Sequence, residues 1–369
     1  MDTLYTQDPN MASGRPQPPA EPLVLPEGVR LHYELLGQAD APRLLVLCPS
    51  SAPLTDVWPL IAGRGAASAF DAHFRCLSLD YRGIGESSKS GEPSVAPWPA
   101  PSIHVFVDDV LALLRHVGWN RCHVIGLSFG AAVAQELLLR RPADVSFGRV
   151  LMVCPTCDIR DHASAEGAYP LHELLSLGAD ERCEQTLLLA DTRRDSEWLE
   201  SRTGQAAMYY MRQAENAIAT KPGALEGRRY QLLARSRHAI YDRLRAATGE
   251  AAPPADTTGL LAGQSGAPPL CESVLIFASV FDAIAPPATA RRLQASIKGS
   301  GLLWFSTGHW PVLPRECAAD FGSAAVAFLA GKPLPSSVLQ AAALAEEQIP
   351  KPAADAGTSW LCDGSCVLL

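Results

Sequence analysis

Three residues of this chain have the types and the order for nucleophilic acyl chemistry: Ser128, Asp282 and His309. A serine hydroxyl is a poor nucleophile until a base takes its proton, and the base needs a third group to hold its tautomer. Ser128 centres the run Gly126-Leu127-Ser128-Phe129-Gly130. Asp282 lies in F-D-A-I-A-P-P and His309 in G-H-W-P-V-L, a carboxylate and an imidazole suited to the other two roles. Taken singly, each has a plainer reading: a Gly/Ser turn, a cap after a strand, a loop histidine. It is the order Ser…Asp…His, with matching placement, that points to a triad.

The elements that must position these residues are legible as hydrophobic patterns. Val124-Ile125 ends a predicted strand, and Ala131 to Leu139 reads as a helix stopped by Pro142. A serine on such a strand-to-helix turn has a strained backbone and an exposed hydroxyl, and a side chain at 126 or 130 would crowd the turn. The new helix also aims its first N–H groups at the serine, where negative charge would develop. Asp282 follows a predicted strand at Ser273–Phe277, and His309 follows one at Gly301–Phe305. All three residues therefore fall at the carboxyl ends of strands, the edge where open α/β sheets bind ligands.

Further apolar runs at Leu44–Cys48, Phe74–Leu79 and Arg149–Cys154 read as buried strands, and Gly28–Leu35 as antiparallel edge strands. Helical periodicity covers Val105–Val117, Glu181–Leu189, Arg229–Arg245 and about Glu316–Leu329, and a helix is expected from Asp56, as N-cap, through Leu60. Ser337-Val338-Leu339-Gln340 has the form of a capping box opening a short helix to about Gln348. The expected fold class is α/β: a mostly parallel, doubly wound sheet with a helical lid inserted between sheet strands. The expected organisation is a disordered leader over 1–26, a core over 27–155 and 271–332, a lid over 156–250, a flexible loop over 251–270 and a tail over 333–369.

Composition narrows the function class. With 369 residues and 47% apolar composition the chain can bury a sizeable core. A net charge of −8 and the lack of a basic run argue against a nucleic-acid partner. No apolar stretch approaches the roughly 18 residues of a spanning helix. The opening residues lack a secretory pattern, and ten scattered cysteines without a framework suggest thiols in a reducing, cytoplasmic setting.

With G-L-S-F-G, D-Y-R-G-I-G-E-S, F-D-A-I-A-P-P and G-H-W-P-V-L in place, the chain resembles the α/β-hydrolase-fold proteins over roughly residues 28–155 and 272–330. The likeness is to the lid-bearing group of esterases, lipases and lactonases. It implies Ser128 as nucleophile, His309 as general base and then acid, Asp282 as its orienter, and a two-step reaction through an acyl-enzyme. No metal or cofactor is implied, and the partner is a small-molecule or lipid-like ester. Phe129 N–H is the first implied oxyanion donor. Where the family has His-Gly this chain has Pro49-Ser50, which points to Ser51 N–H as the second. The same loop is similar to that of the maspardin-like members, better known as interaction proteins, so a catalytically silent adaptor is the rival reading. Lactone or C–C bond hydrolysis on the same triad is a further one. Aspartate-nucleophile chemistry is disfavoured by Ser128.

Other signals have simpler readings. Cys154-Pro155-Thr156-Cys157 lacks the second pair of a zinc site, and Cys154 fits a strand-end core position. His238 falls on a helical face, with a place at the site as the outside alternative. Trp58, Phe129 and Trp310 flank the site loops and either line an acyl pocket or close the core. The terminal Cys366-Val367-Leu368-Leu369 has the C-a-a-X form with Leu favouring geranylgeranyl, and Cys362 is the natural second lipidation site. Lipidation there would anchor the protein to the cytosolic face of a membrane.

Overall fold

The computed structural model describes residues 21–58, 70–89, 92, 95–158, 167–248, 271–309 and 315–349. Most of the expected leader, the loop over 251–270, Trp310, Cys362 and Cys366 lie outside these residues.

Nine strands are described: β1 Leu23–Val24, β2 Arg30–Leu31, β3 Tyr33–Leu36, β4 Arg43–Leu47, β5 Arg75–Leu79, β6 Arg121–Leu127, β7 Ser146–Val153, β8 Ser273–Ser279 and β9 Gly301–Phe305. β1 and β2 form a small antiparallel ribbon. The other seven form one sheet in the order β3-β5-β4-β6-β7-β8-β9. β3 runs antiparallel to β5 at one edge, and every other pair is parallel. Continuous apolar runs suit these strands because helices cover both sheet faces. Leu44 to Leu47, Ile125, Leu151 and Ile276 are all fully buried.

Two helices flank the central strand β6: α1 Ile103–His116 and α2 Phe129–Arg140. Ser102 caps α1 by accepting the His104 N–H. α2 ends at Arg141 in a left-handed conformation (φ 45°) just before Pro142. Between β7 and β8 come α3 Ala179–Ala190, α4 Ser196–Glu200, α5 Arg202–Ala219, α6 Ala224–Ser236 and α7 Tyr241–Thr248. The remaining described helices are α8 Pro287–Ser296, α9 Arg315–Leu329 and α10 Ser336–Glu347. Val338, Ala342 and Ala345 of α10 join the main hydrophobic core, so the chain past residue 333 still packs against the sheet.

The structure corrects three local expectations. The single helix over Arg229–Arg245 is two helices, α6 and α7, because the chain turns inward between them: His238 is buried, and Ile240 N–H donates to Asp158 Oδ1 at 2.6 Å. Asp56 is not the N-cap of the described turn, which is Pro53, and the rest of the helix expected to Leu60 lies outside the described residues past Trp58. Asp56 sits inside a 3-10 turn, Leu54–Val57, whose Leu54 N–H is satisfied by Asp80 Oδ1 at 2.6 Å. Ser337 lies within α10, whose N-cap is Pro335 with no side-chain cap bond. Among the described residues no helix is long and apolar enough to cross a membrane.

Candidate active site

Ser128 sits at the junction of β6 and α2 with φ 52° and ψ −107°, a conformation that costs a non-glycine residue about 1–3 kcal/mol. The surroundings hold it there. A Cβ on Gly126 would lie 2.4 Å from Gly130 O, and one on Gly130 would lie 2.2 Å from Leu47 O. Only glycines let the helix start this close to β6 and β4. Ser128 N–H donates to Val153 O at 2.9 Å, tying the elbow to β7.

The structure brings Ser128, His309 and Asp282 together. His309 Nε2 is 2.8 Å from Ser128 Oγ, and His309 Nδ1 is 2.7 Å from Asp282 Oδ2. The other oxygen, Asp282 Oδ1, accepts the N–H groups of Ile284 and Ala285, each at 2.8 Å. With Asp282 acting as acceptor on both oxygens, a neutral imidazole carries its proton on Nδ1 and leaves Nε2 to accept from the serine hydroxyl. Ser128, Asp282 and His309 are 7%, 2% and 3% exposed, so their mutual attraction is little screened by water.

The loops bearing the acid and the base are joined to each other and to the inserted helices. Phe281 N–H donates to Thr307 O at 3.0 Å, and the hydroxyls of Ser279 and Thr307 are 3.0 Å apart. The end of α3 docks on both loops. Ala283 N–H donates to Leu189 O at 3.0 Å, and His309 N–H donates to Ala190 O at 2.6 Å. Just beyond, Thr192 N–H donates to Phe281 O, and the Arg193 guanidinium lies 4.3 Å from the Phe281 ring centroid.

The two expected oxyanion donors have different surroundings. Phe129 opens α2, so its N–H has no intrahelical acceptor. Ser51, at φ 65°, donates its N–H to Gln231 Oε1 of α6 at 2.7 Å. The loop that carries Ser51 is braced by Asp80, whose second oxygen accepts Glu86 N–H at 2.8 Å. Asp80 thus links the β4 loop to D-Y-R-G-I-G-E-S. Sequence reasoning missed this role and the part played by Gln231, since neither partner is near in the chain.

Other singled-out residues find structural partners. The Phe129 ring packs edge-on against Tyr81 and Phe106, which makes it a core residue. His238 is placed away from the triad: its Nε2 lies 3.1 Å from Gln135 Oε1 and its Nδ1 3.5 Å from Glu136 Oε1, both on α2. Cys154 Sγ contacts Ser279 Oγ at 3.4 Å and Cys157 Sγ donates to Tyr241 OH at 3.2 Å, so the two thiols serve separate packing contacts. Burial pushes the Cys157 thiol up to about 12. Ligand atoms of Cys154, Asp282 and His309 lie within 4.8 Å of one another. Both ring nitrogens of His309 are already engaged with Ser128 and Asp282, so a metal there would have to break that chain of hydrogen bonds.

Comparison with known proteins agrees with this architecture. The profile of the alpha/beta hydrolase family matches residues 45–322. A protein provisionally named carbamate hydrolase RutD from Stutzerimonas stutzeri (strain A1501) is 34% identical over 116 residues, covering 30% of this chain and 38% of that protein. Epoxide hydrolase 3 of Mus musculus is 25% identical over 122 residues, covering 33% of this chain and 30% of that protein. The chain therefore matches well under half the length of these curated relatives. Among solved structures, an enol-lactonase from Burkholderia xenovorans LB400 aligns with a TM-score of 0.60 at 20% identity, over 85% of this chain and 100% of that chain. An esterase from Exiguobacterium antarcticum aligns with a TM-score of 0.61 at 14% identity, over 84% and 99%. With the profile spanning most of the chain, the protein belongs to the alpha/beta hydrolase family.

Proposed function

We propose that this protein is a serine hydrolase acting on carboxylic esters or related acyl substrates. The single observation that carries the reading is the unbroken hydrogen-bonded chain from Ser128 Oγ through His309 to Asp282. The hydrolytic names of its relatives support bond cleavage by water in general, and Ser128 at the elbow favours acyl over epoxide chemistry.

In this reading Ser128 Oγ attacks the acyl carbon while His309 Nε2 takes its proton. Asp282 holds the ring and stabilises the imidazolium. The oxyanion accepts from Phe129 N–H and from Ser51 N–H, displacing Gln231 Oε1 from the latter. His309 then gives its proton to the leaving oxygen, and water repeats the sequence on the acyl-enzyme. Each oxyanion donor is worth about 3 kcal/mol of transition-state stabilisation. The helices α3–α7 act as a lid. Because the triad is nearly buried, they move aside to admit substrate.

One observation favours a catalytically silent reading instead: the Ser51 donor is already taken by Gln231. A panel of 4-nitrophenyl esters, lactones and carbamates separates the two. The hydrolase reading expects turnover on an acyl substrate with a burst of acyl-enzyme, lost in Ser128→Ala. A folded protein with no turnover on any of these would leave the silent reading.

A further inference from the structure

Among the described residues three arginines are almost completely buried, and one of them is treated differently. Arg82 forms a two-point pair with Asp109 and also reaches Glu27. Arg228 pairs with Glu215. Arg235, 2% exposed on α6, has no carboxylate within salt-bridge distance among the described residues. Its Nη1 donates to Tyr169 O at 2.7 Å, and its Nε and Nη2 have no partner among the described residues. A buried charge normally has an opposite charge and a full set of hydrogen bonds. The carboxylate Arg235 senses is that of Asp282, whose oxygens already serve His309, Ile284 and Ala285. Burial pushes the guanidinium down to about 10, the mark of a cation whose desolvation is not offset.

The place of this orphan matters as much as its state. One turn earlier on α6, Gln231 is fully buried and spends Oε1 on Ser51, while its Nε2 has no partner among the described residues. Tyr169, which accepts from Arg235, donates its own N–H to Ile284 O in the acid loop. So α6 reaches the loop after β4 through Gln231 and the loop after β8 through Arg235. In the sheet order β4-β6-β7-β8 the serine elbow follows β6, between those two loops. Beyond β7, the Thr156 hydroxyl is also buried without a partner among the described residues. Spare donors thus sit on α6, which reaches the loops after β4 and β8, and on the loop after β7, the strand beside β6.

We propose that Arg235, with Gln231 Nε2 and Thr156 Oγ, forms a subsite for a carboxylate carried by the substrate. The preferred substrates are then acyl compounds bearing a second, anionic carboxylate. The planar guanidinium offers Nε and Nη2 as a fork that matches two carboxylate oxygens. This rests on the serine-hydrolase reading and narrows it to a substrate class.

The test compares 4-nitrophenyl hemiglutarate with 4-nitrophenyl butyrate in wild type, Arg235→Met and Arg235→Lys. Wild type should prefer the anionic ester by about tenfold or more in kcat/KM, as a charge-assisted hydrogen bond implies. Arg235→Met should collapse that ratio through a higher KM for hemiglutarate, and Arg235→Lys should recover part of it. A purely structural arginine would depress both esters together and leave the ratio unchanged, which would overturn the proposal, as would a wild type with no anionic preference. Binding of glutarate to Ser128→Ala by calorimetry is the second measurement, and it needs neither turnover nor a folded Arg235→Met. Glutarate binding with no turnover on any ester would sink the hydrolase reading and keep the subsite. Turnover without glutarate binding would sink the subsite alone.

Discussion

His309 donates its backbone N–H to Ala190 O at 2.6 Å, which fastens the base to the end of α3 as well as to its own strand. The contact leaves no room beside it. A Cβ on Gly308 would lie 2.1 Å from Ala190 O. Gly308→Ala should therefore push the imidazole off its position between Ser128 and Asp282. The expected result is a loss of about 100-fold in kcat/KM with a native far-UV spectrum, since misplacement on the ångström scale has that effect. Activity within twofold of wild type would show that α3 does not set the histidine.

Asp282 holds the tautomer of His309 from 2.7 Å. Asp282→Asn keeps the shape but offers an amide to a ring nitrogen that must donate. We expect kcat to fall by about 10³–10⁴-fold, read on whichever ester the panel selects, with the elbow still labelled slowly by reactive phosphonates.

Arg82 and Asp109 form a buried two-point pair beneath the D-Y-R-G-I-G-E-S loop. Removing one partner leaves the other charge buried and unpaired. Asp109→Ala should lower stability by about 3–5 kcal/mol in urea titrations, while the double substitution Arg82→Met with Asp109→Leu should cost much less.

His238 gives the protein an acid-side weakness. Burial first, and then the nearby charge of Arg243, push its pKa down from 6.5 to about 3. Around it stand Gln135 and Glu136 of α2, His104 of α1, Arg235 of α6 and Arg243 of α7. Glu136 is shared with the Arg243 guanidinium. Because the folded value is depressed, the unfolded chain binds the proton first. Stability is complete above the unfolded pKa and falls as pH drops below it. From pH 7 to pH 5 this one group should remove about 2 kcal/mol, and His238→Gln should flatten that part of the stability profile.

How much of this was legible in the sequence follows from which interactions are local. The strands around β6 showed as apolar runs because burial on both faces leaves no other composition, and the elbow showed because its glycines are demanded by backbone contacts a few residues away. Asp282 and His309 were found because each follows its strand directly. The inserted helices were harder. Amphipathic periodicity ran on through 229–245, yet the chain breaks at 237–240 to bury His238. The partner of Ser51 lies 180 residues away. That Arg235 is buried is invisible in a segment rich in arginine, where any one of them could equally face water. α8 went unnoticed because Pro286 and Pro287 read as breakers, although Pro287 occupies a first-turn position that needs no N–H.

On the proposed reading, Ser128 is a nucleophile made reactive by His309 and Asp282. The most direct measurement is peptide mass mapping after treatment of the folded protein with a neutral fluorophosphonate. One adduct is expected, on Ser128, absent in Ser128→Ala and strongly slowed in His309→Ala. A folded wild-type protein that stays unmodified, or an adduct on another residue that survives Ser128→Ala, would contradict it.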